Sequence, residues 1–227
     1  MPAGPTESAD RFERPRVAVD TVLFAFQERR LKTYLVQLSR GPANGKWAFP
    51  GGLVRRGEML DDAVRRELKI STGLTDAYLE QLFTFGDPSR DPDAHVVSVA
   101  YMALIPDPGR VSGPSPKYAA GGWFELSALP PLAYDHAVMA KYALKRLKSK
   151  LEYSNIAFAL LPPIFTFAEF EELYSQILAR PIDRRNFRRR ILAMGLLRPL
   201  KETRRGAHRP AALYSFARQT LQMIEML

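Results

Sequence analysis

Apolar residues fall into two kinds of pattern along this chain, one before and one after residue 150. Residues 17–26 (VAVDTVLFAF) and 33–38 are runs of β-branched and aromatic residues separated by a charged segment, so they read as two strands of a hairpin. A loop rich in glycine and proline follows through Lys46, then Trp47-Ala-Phe-Pro50 and the pair Gly51-Gly52. The spacing of Ala63, Val64, Leu68 and Ser71 predicts a helix over 60–72. Asp61 and Asp62 in its first turn suit the helix dipole, and Gly73 ends it. Strands are expected at 77–85 and 95–105, the second almost continuously apolar, as a strand covered on both faces should be. Another is expected around Trp123-Phe124. A helix over 135–150 is expected to turn Val138, Tyr142 and Leu147 inward and its lysines outward.

Beyond residue 150 three helices are expected in close order, at 153–160, 167–178 and 184–194. Thr166 with Glu169 makes a capping-box pattern, Asp183 is a candidate N-cap, and Gly195 stops the third helix. Short strands at 196–200 and 211–216 flank a basic loop, 201–209. Three helices, a hairpin and a basic loop make a winged helix. The expected organisation is therefore an N-terminal arm (1–15), an α/β domain (16–150) and a winged helix (151–227).

Composition narrows the function. Hydrophobic residues make up 46% and aromatics 11% of the 227 residues, enough for packed cores in both parts. The absence of cysteine excludes disulfides, thiolate zinc sites and thiol catalysis. No apolar run is long enough to cross a bilayer and the N-terminus has no signal-like core, so a cytoplasmic protein without a membrane partner is expected. The net charge of +9 is concentrated. Between Arg180 and Pro210 eleven arginines and lysines face only Asp183 and Glu202, which leaves the remainder near neutral. Such a field calls for an anionic partner.

One motif carries chemistry. Gly52 is followed after five residues by Glu58, after seven more by Arg66-Glu67-Leu68, and then by Gly73-Leu74. This spacing, with Trp47-Ala-Phe-Pro50-Gly51 before it, resembles the Nudix box, a loop-helix-loop of an α/β/α sandwich with a mixed sheet. The resemblance implies that paired glutamates should follow Glu67; Ile70 and Ser71 stand there instead. Positions 67, 70 and 71 share a helix face, where three carboxylates would gather Mg²⁺ to activate water on a pyrophosphate. No catalytic residue, metal ligand or required cofactor is therefore expected. Glu58, Arg66 and Glu67 are expected to form a salt-bridge cluster that holds loop to helix, and Gly51, Gly52 and Gly57 to serve backbone turns.

The segment 83–101 resembles part of ADP-ribose-recognising Nudix proteins, which makes ADP-ribose the expected effector. Arg40 and Arg90 are candidates for gripping phosphate, Trp47 and Phe85 for stacking on adenine, and Asp135-His136 for the pocket edge. Ordinary core positions for the aromatics and His136, and a surface position for Arg90, remain the alternatives.

In the third helix Phe187, Ile191 and Met194 recur at core spacing, so Arg184, Arg185, Arg188 and Arg189 lie mostly on the solvent face. That face suits a DNA major groove, with Asn186 a candidate to read adenine and Arg204 and Arg205 at the tip of the wing. Together the two parts resemble the Nudix-related transcriptional regulator (NrtR) family. The resemblance implies a homodimer on an inverted-repeat operator, repression of NAD-metabolism genes and release by ADP-ribose. The rival readings are a Nudix pyrophosphatase that draws carboxylates from Glu80, Asp87 or Asp91, and a sugar-responsive regulator of the same architecture.

Overall fold

The computed structural model describes residues 14–205 and 210–224. Most of the expected arm (1–13) and part of the basic loop (206–209) therefore lie outside the described residues.

Strands β1 (Arg16–Gln27) and β2 (Arg30–Leu38) form the expected hairpin. Its two-residue turn, Glu28-Arg29, has φ of 53° and 63°, the left-handed pair that matches the twist of the strands. Two short strands, β3 (Trp47–Ala48) and β4 (Gly51–Leu53), lead into helix α1 (Leu60–Thr72), which ends on Gly73 at φ 76°. Strands β5 (Tyr78–Phe85) and β6 (Val96–Ile105) follow, then β7 (Tyr118–Glu125). Strand β6 lies parallel to β1 over ten residue pairs, from Arg16 with Val96 to Ala25 with Ile105, and antiparallel to β5. The result is a mixed sheet ordered β3-β2-β1-β6-β5, with β4 added to β1 and β7 to β2.

Alternation along β1 separates two apolar layers. Leu23 and Ala25 pack with Leu68 and Leu74 on the α1 side, whereas Val22 and Phe24 pack with Met139 and Leu147 of helix α2 (His136–Tyr153) on the other. The buried face of α2 departs from expectation. It is formed by Met139, Ala140, Ala143, Leu147 and Leu151, while Val138 and Tyr142 are exposed and Lys150 is buried. Small alanines let the helix approach the sheet closely, a preference that hydrophobicity alone does not signal.

A separate helix over 153–160 does not form. α2 runs through Tyr153, the Ser154 hydroxyl donates to the Lys150 carbonyl, and only one 3₁₀ turn follows at Ile156–Ala159. The cause is tertiary. The Asn155 side chain donates to the Thr220 carbonyl and accepts from the Gln222 amide, and the Ile224 amide donates to the Tyr153 carbonyl. The C-terminal segment thus takes backbone partners that a continued helix would have used.

The winged helix consists of β8 (Phe165–Thr166), α3 (Phe167–Leu178), α4 (Arg184–Ala193), β9 (Leu197–Arg204) and β10 (Ala211–Phe216), with strands ordered β8-β10-β9. Both expected caps are present. Thr166 and Glu169 form a reciprocal capping box, and Asp183 accepts from the amides of Arg185 and Asn186. The hairpin is longer than the pattern suggested, because β9 continues to Arg204. Phe165, Phe170 and Phe187 belong to the same apolar cluster as Phe24, Met102 and Leu147. The two parts therefore share one continuous core across the boundary expected at residue 150.

Candidate functional site

The box residues meet where β4, α1 and β7 converge. Arg66 holds Glu58 with two bonds, Nε to Oε1 at 2.6 Å and Nη2 to Oε2 at 2.7 Å, and also bonds Glu67 and the Leu53 carbonyl. The expected salt-bridge cluster is present. Hydrogen bonds from Arg66 and from the Arg55 amide hold the Glu58 carboxyl down to about 2, and Glu58 in turn raises the pKa of Arg66. Gly57, at φ 79°, serves a turn as expected. Gly51 and Gly52 do not. They lie in β4, and a Cβ there would meet Asp20 Oδ1 at 2.1 Å and Glu67 Oε1 at 2.5 Å respectively. Their task is to let two carboxylates reach the loop backbone.

Glu67 is buried and doubly neutralised. Besides Arg66, it is bonded by Lys117 Nζ at 2.6 Å, and the same ammonium donates to the Gly51 carbonyl at 2.7 Å. Burial works against the charge of Lys117, but Tyr118 and Glu67 more than offset it and raise its pKa. Ser71, in place of one glutamate, donates to the Glu67 carbonyl at 2.7 Å and lies 3.2 Å from the Tyr118 hydroxyl. Ile70, in place of the other, is half-buried and outside the cleft. Among the described residues no group of three or more histidines, aspartates or glutamates is arranged to hold a metal ion.

Beside this cluster opens a cleft of about 290 Å³, lined among others by Arg16, Asp20, Arg90, Lys117, Tyr118, Tyr134 and His136. Its floor is a buried polar network. Arg90 turns its fork onto Asp135, with bonds of 3.0 and 2.8 Å, and lies 3.7 Å from Asp20. Asp20 accepts from Ser98 at 2.5 Å. His136 Nδ1 accepts from the Phe49 amide at 2.9 Å, so its proton sits on Nε2, facing Asp20 at 3.7 Å. Burial lowers the pKa of His136, which keeps the ring neutral.

Of the expected effector residues, the structure brings Arg90, Asp135 and His136 together and leaves three elsewhere. Arg40 is exposed just beyond β2 and does not line the cleft, although Leu38 and Pro42 on either side of it do. Trp47 packs edge-on against Phe124 at 4.7 Å, and Phe85 is buried against Phe83 and Tyr142 on the α2 side. Neither aromatic reaches the cleft, because both rings are committed to packing on the far face. Lys117, Tyr118, Tyr134 and Arg16 line it and were not singled out by the motif. Lys117 and Tyr118 arrive by the pairing of β7 with β2, a contact with no local signal. Among the rival carboxylates Glu80 is occupied by Lys150, Arg146 and the Tyr78 hydroxyl, and Asp87 by Ser89; only Asp91 lines the cleft.

The second charged region is α4. Phe187 and Ile191 are buried against α3, as expected, and the arginines face solvent. They are not equivalent. Arg188 lies 4.5 Å above the Phe167 ring and donates to the Tyr214 hydroxyl at 2.8 Å, so it is fastened to the domain. Arg189 donates to Asn186 Oδ1, and Asn186 to Asp183. Arg184 and Arg185 are exposed in the first turn. Arg204 ends β9, and residues 206–209 of the expected wing lie outside the described residues. Arg204 pairs with Glu169 at 2.7 Å, and both Arg204 and the following Arg205 are exposed. No helix among the described residues is long and apolar enough to cross a membrane.

Comparison with known proteins agrees with this architecture. A NUDIX domain family model matches residues 14–146, and an NrtR DNA-binding winged helix domain model matches residues 157–216. An ADPR responsive transcriptional repressor, NtrR, of Acinetobacter baylyi is 31% identical over 92% of this chain and 84% of that protein. Shewanella oneidensis NrtR, in a complex with a 27mer DNA, superposes with a TM-score of 0.78 at 34% identity, covering 88% of this chain and 93% of that one. Its NUDIX domain complexed with ADP ribose superposes at 0.54 and 32% identity, over 63% and 94% of the two chains. An ADP-ribose pyrophosphatase of Methanocaldococcus jannaschii is 35% identical over 56% of this chain and 72% of that protein. With a NUDIX domain and an NrtR winged helix in the order that the regulators share, the chain belongs to the NrtR family of Nudix-related transcriptional regulators.

Proposed function

We propose that this chain is a transcriptional repressor of NAD-metabolism genes that holds operator DNA with its winged helix and is released by ADP-ribose bound in the Nudix cleft, without hydrolysing it. The observation that carries the reading is the exposed arginine face of α4, whose own cap Asp183 is spent on the first turn and whose other acidic neighbours, Glu171 and Glu172 of α3, act on Arg184 and Arg188 and leave Arg185 and Arg189 to solvent. Arg185, Asn186 and Arg189 stand where a recognition helix meets base edges and phosphates, and Arg205 extends the contact. A homodimer presents two such helices to an inverted repeat.

The cleft supports a ligand-binding role more than a catalytic one. Water activation by the box needs carboxylates that gather a divalent ion. Here the one remaining carboxylate of the triplet is bonded to two cations. Coupling to DNA follows α2. This helix starts beside the cleft at His136 and ends at Tyr153, where the C-terminal segment and the winged helix are fastened. ADP-ribose must favour the arrangement that fits DNA poorly, since a ligand shifts only an equilibrium whose states it binds differently.

The test is fluorescence anisotropy of a labelled duplex from the upstream region of the protein's own locus, in fixed salt, with and without ADP-ribose. Selective binding reversed by ADP-ribose is the expected result. Unchanged DNA affinity at saturating ADP-ribose removes the effector. The likeness to a pyrophosphatase supplies the second reading. Mg²⁺-dependent release of AMP from ADP-ribose by the full chain would establish it.

A further inference from the structure

The Nudix fold implies a divalent ion at Glu67, and the donor set here does not fit one. Two of the three box carboxylates are replaced by Ile70 and Ser71, and Glu67 is already bonded to Arg66 and Lys117. The Lys117 ammonium lies between a carboxylate oxygen at 2.6 Å and the Gly51 carbonyl oxygen at 2.7 Å. Hard oxygen donors of that kind are what Mg²⁺ takes as ligands. We propose that Lys117 is a built-in cation that stands in for the metal, fastening β4 at Gly51 and presenting its positive charge to the diphosphate of an anionic ligand.

Three cations line the cleft among the described residues: Arg16, Arg90 and Lys117. Arg90 is consumed by Asp135, and Arg16 is at the exposed start of β1. Lys117 gives two of its three N–H donors to Glu67 and the Gly51 carbonyl, and the Tyr118 side chain lies against the same ammonium. Its side chain keeps 37% of its surface open, whereas that of Glu67 keeps 5%. The ammonium therefore covers the carboxylate, and an anion entering the cleft meets positive charge from Lys117 and Arg16 and not the Glu67 carboxylate. A divalent ion would have to displace it. Binding of a diphosphate then needs no added metal, unlike an active Nudix site, where the ion neutralises both partners.

This assignment rests on the ligand reading above only in taking ADP-ribose as one probe; inorganic pyrophosphate is the other. Calorimetric titrations of the full chain with each probe, in EDTA and in Mg²⁺, compare wild type with Lys117→Met, Lys117→Gln and Lys117→Arg, each checked by thermal melting. Wild type is expected to bind equally in both buffers, within about twofold. Loss of the charge in Lys117→Met or Lys117→Gln weakens binding at least about tenfold, as removal of a charge-assisted bond does, and Lys117→Arg retains most of it. Lys117→Gln keeps an N–H donor but not the charge, so a merely structural role would lower its melting temperature and leave binding by the folded chain close to wild type. Binding that Mg²⁺ must restore, or a folded Lys117→Gln chain that binds both probes like wild type, overturns the assignment. Pyrophosphate binding through Lys117 without ADP-ribose binding sustains it while removing the ADP-ribose reading. Failure of wild type to bind either probe overturns both.

Discussion

Beside the cleft, Glu58, Arg66, Glu67 and Lys117 are bonded to one another, and each guanidinium or ammonium meets a carboxylate at hydrogen-bond distance. On α4, Arg184, Arg185 and Arg189 stand exposed; the helix's own acid, Asp183, accepts from the backbone of the first turn, and Glu171 and Glu172 of α3 act on Arg184 from a distance without bonding it. Both regions are rich in charge, and they use it in opposite ways. Paired charges hold a loop, a strand and a helix in one geometry and project little field beyond themselves. Charges that face water without a bonded carboxylate project a field that a polyanion answers. Pairing, not abundance, separates a site that shapes a small pocket from a surface that binds DNA.

The largest break of this contrast is on the helix. Replacing Arg184, Arg185 and Arg189 together by alanine is expected to weaken operator binding at least about 100-fold, since each lost base or phosphate contact costs roughly 1 kcal/mol or more. The slope of log affinity against log salt should fall by roughly 2 to 3 if these residues meet phosphates. Unchanged affinity in a folded triple variant would show that the arginine face is not the DNA surface.

A smaller effect is expected in the cleft. Arg66→Leu leaves Glu58 and Glu67 without their shared donor and should destabilise the fold by about 2 kcal/mol, the scale of hydrogen bonds to charged groups. Urea denaturation measures it, and a difference near zero would mean that the cluster contributes no stability.

The smallest effect is in acid. The Glu58 carboxyl is held at about 2 in the fold against 4.5 for a free glutamate. Its contribution is therefore complete above pH 4.5 and is lost as pH falls toward 2. Melting temperatures across that window should drop more steeply for wild type than for Glu58→Gln, and parallel curves would contradict the pairing.

Much of this was legible locally. The turn before Arg30, the glycine stop at Gly73, the capping box at Thr166 and the Asp183 cap each depend on a few neighbouring residues, and each is where the pattern puts it. The inward face of α4 was legible because Phe187 and Ile191 are large and regularly spaced. The face of α2 was not, since alanines at 140 and 143 carry little hydrophobic signal, and the choice between Val138 and Met139 is made by the sheet beneath. The effector aromatics were misplaced for a related reason. Which side of a sheet Phe85 faces follows from register, and the register of β5 with β6 includes an irregularity between Gln81 and Phe83.

The sequence by itself determined the box spacing, the replacement of two carboxylates by Ile70 and Ser71, and the concentration of arginine on one helix. Those are matters of residue identity and helical period. Only the tertiary structure decided that Lys117, fifty residues from Glu67, would bond it, that Arg90 would spend its fork on Asp135, and that Arg204 would pair with Glu169. Charges at a distance along the chain become partners or remain a surface according to which strands pair, and strand pairing is a property of the whole sheet.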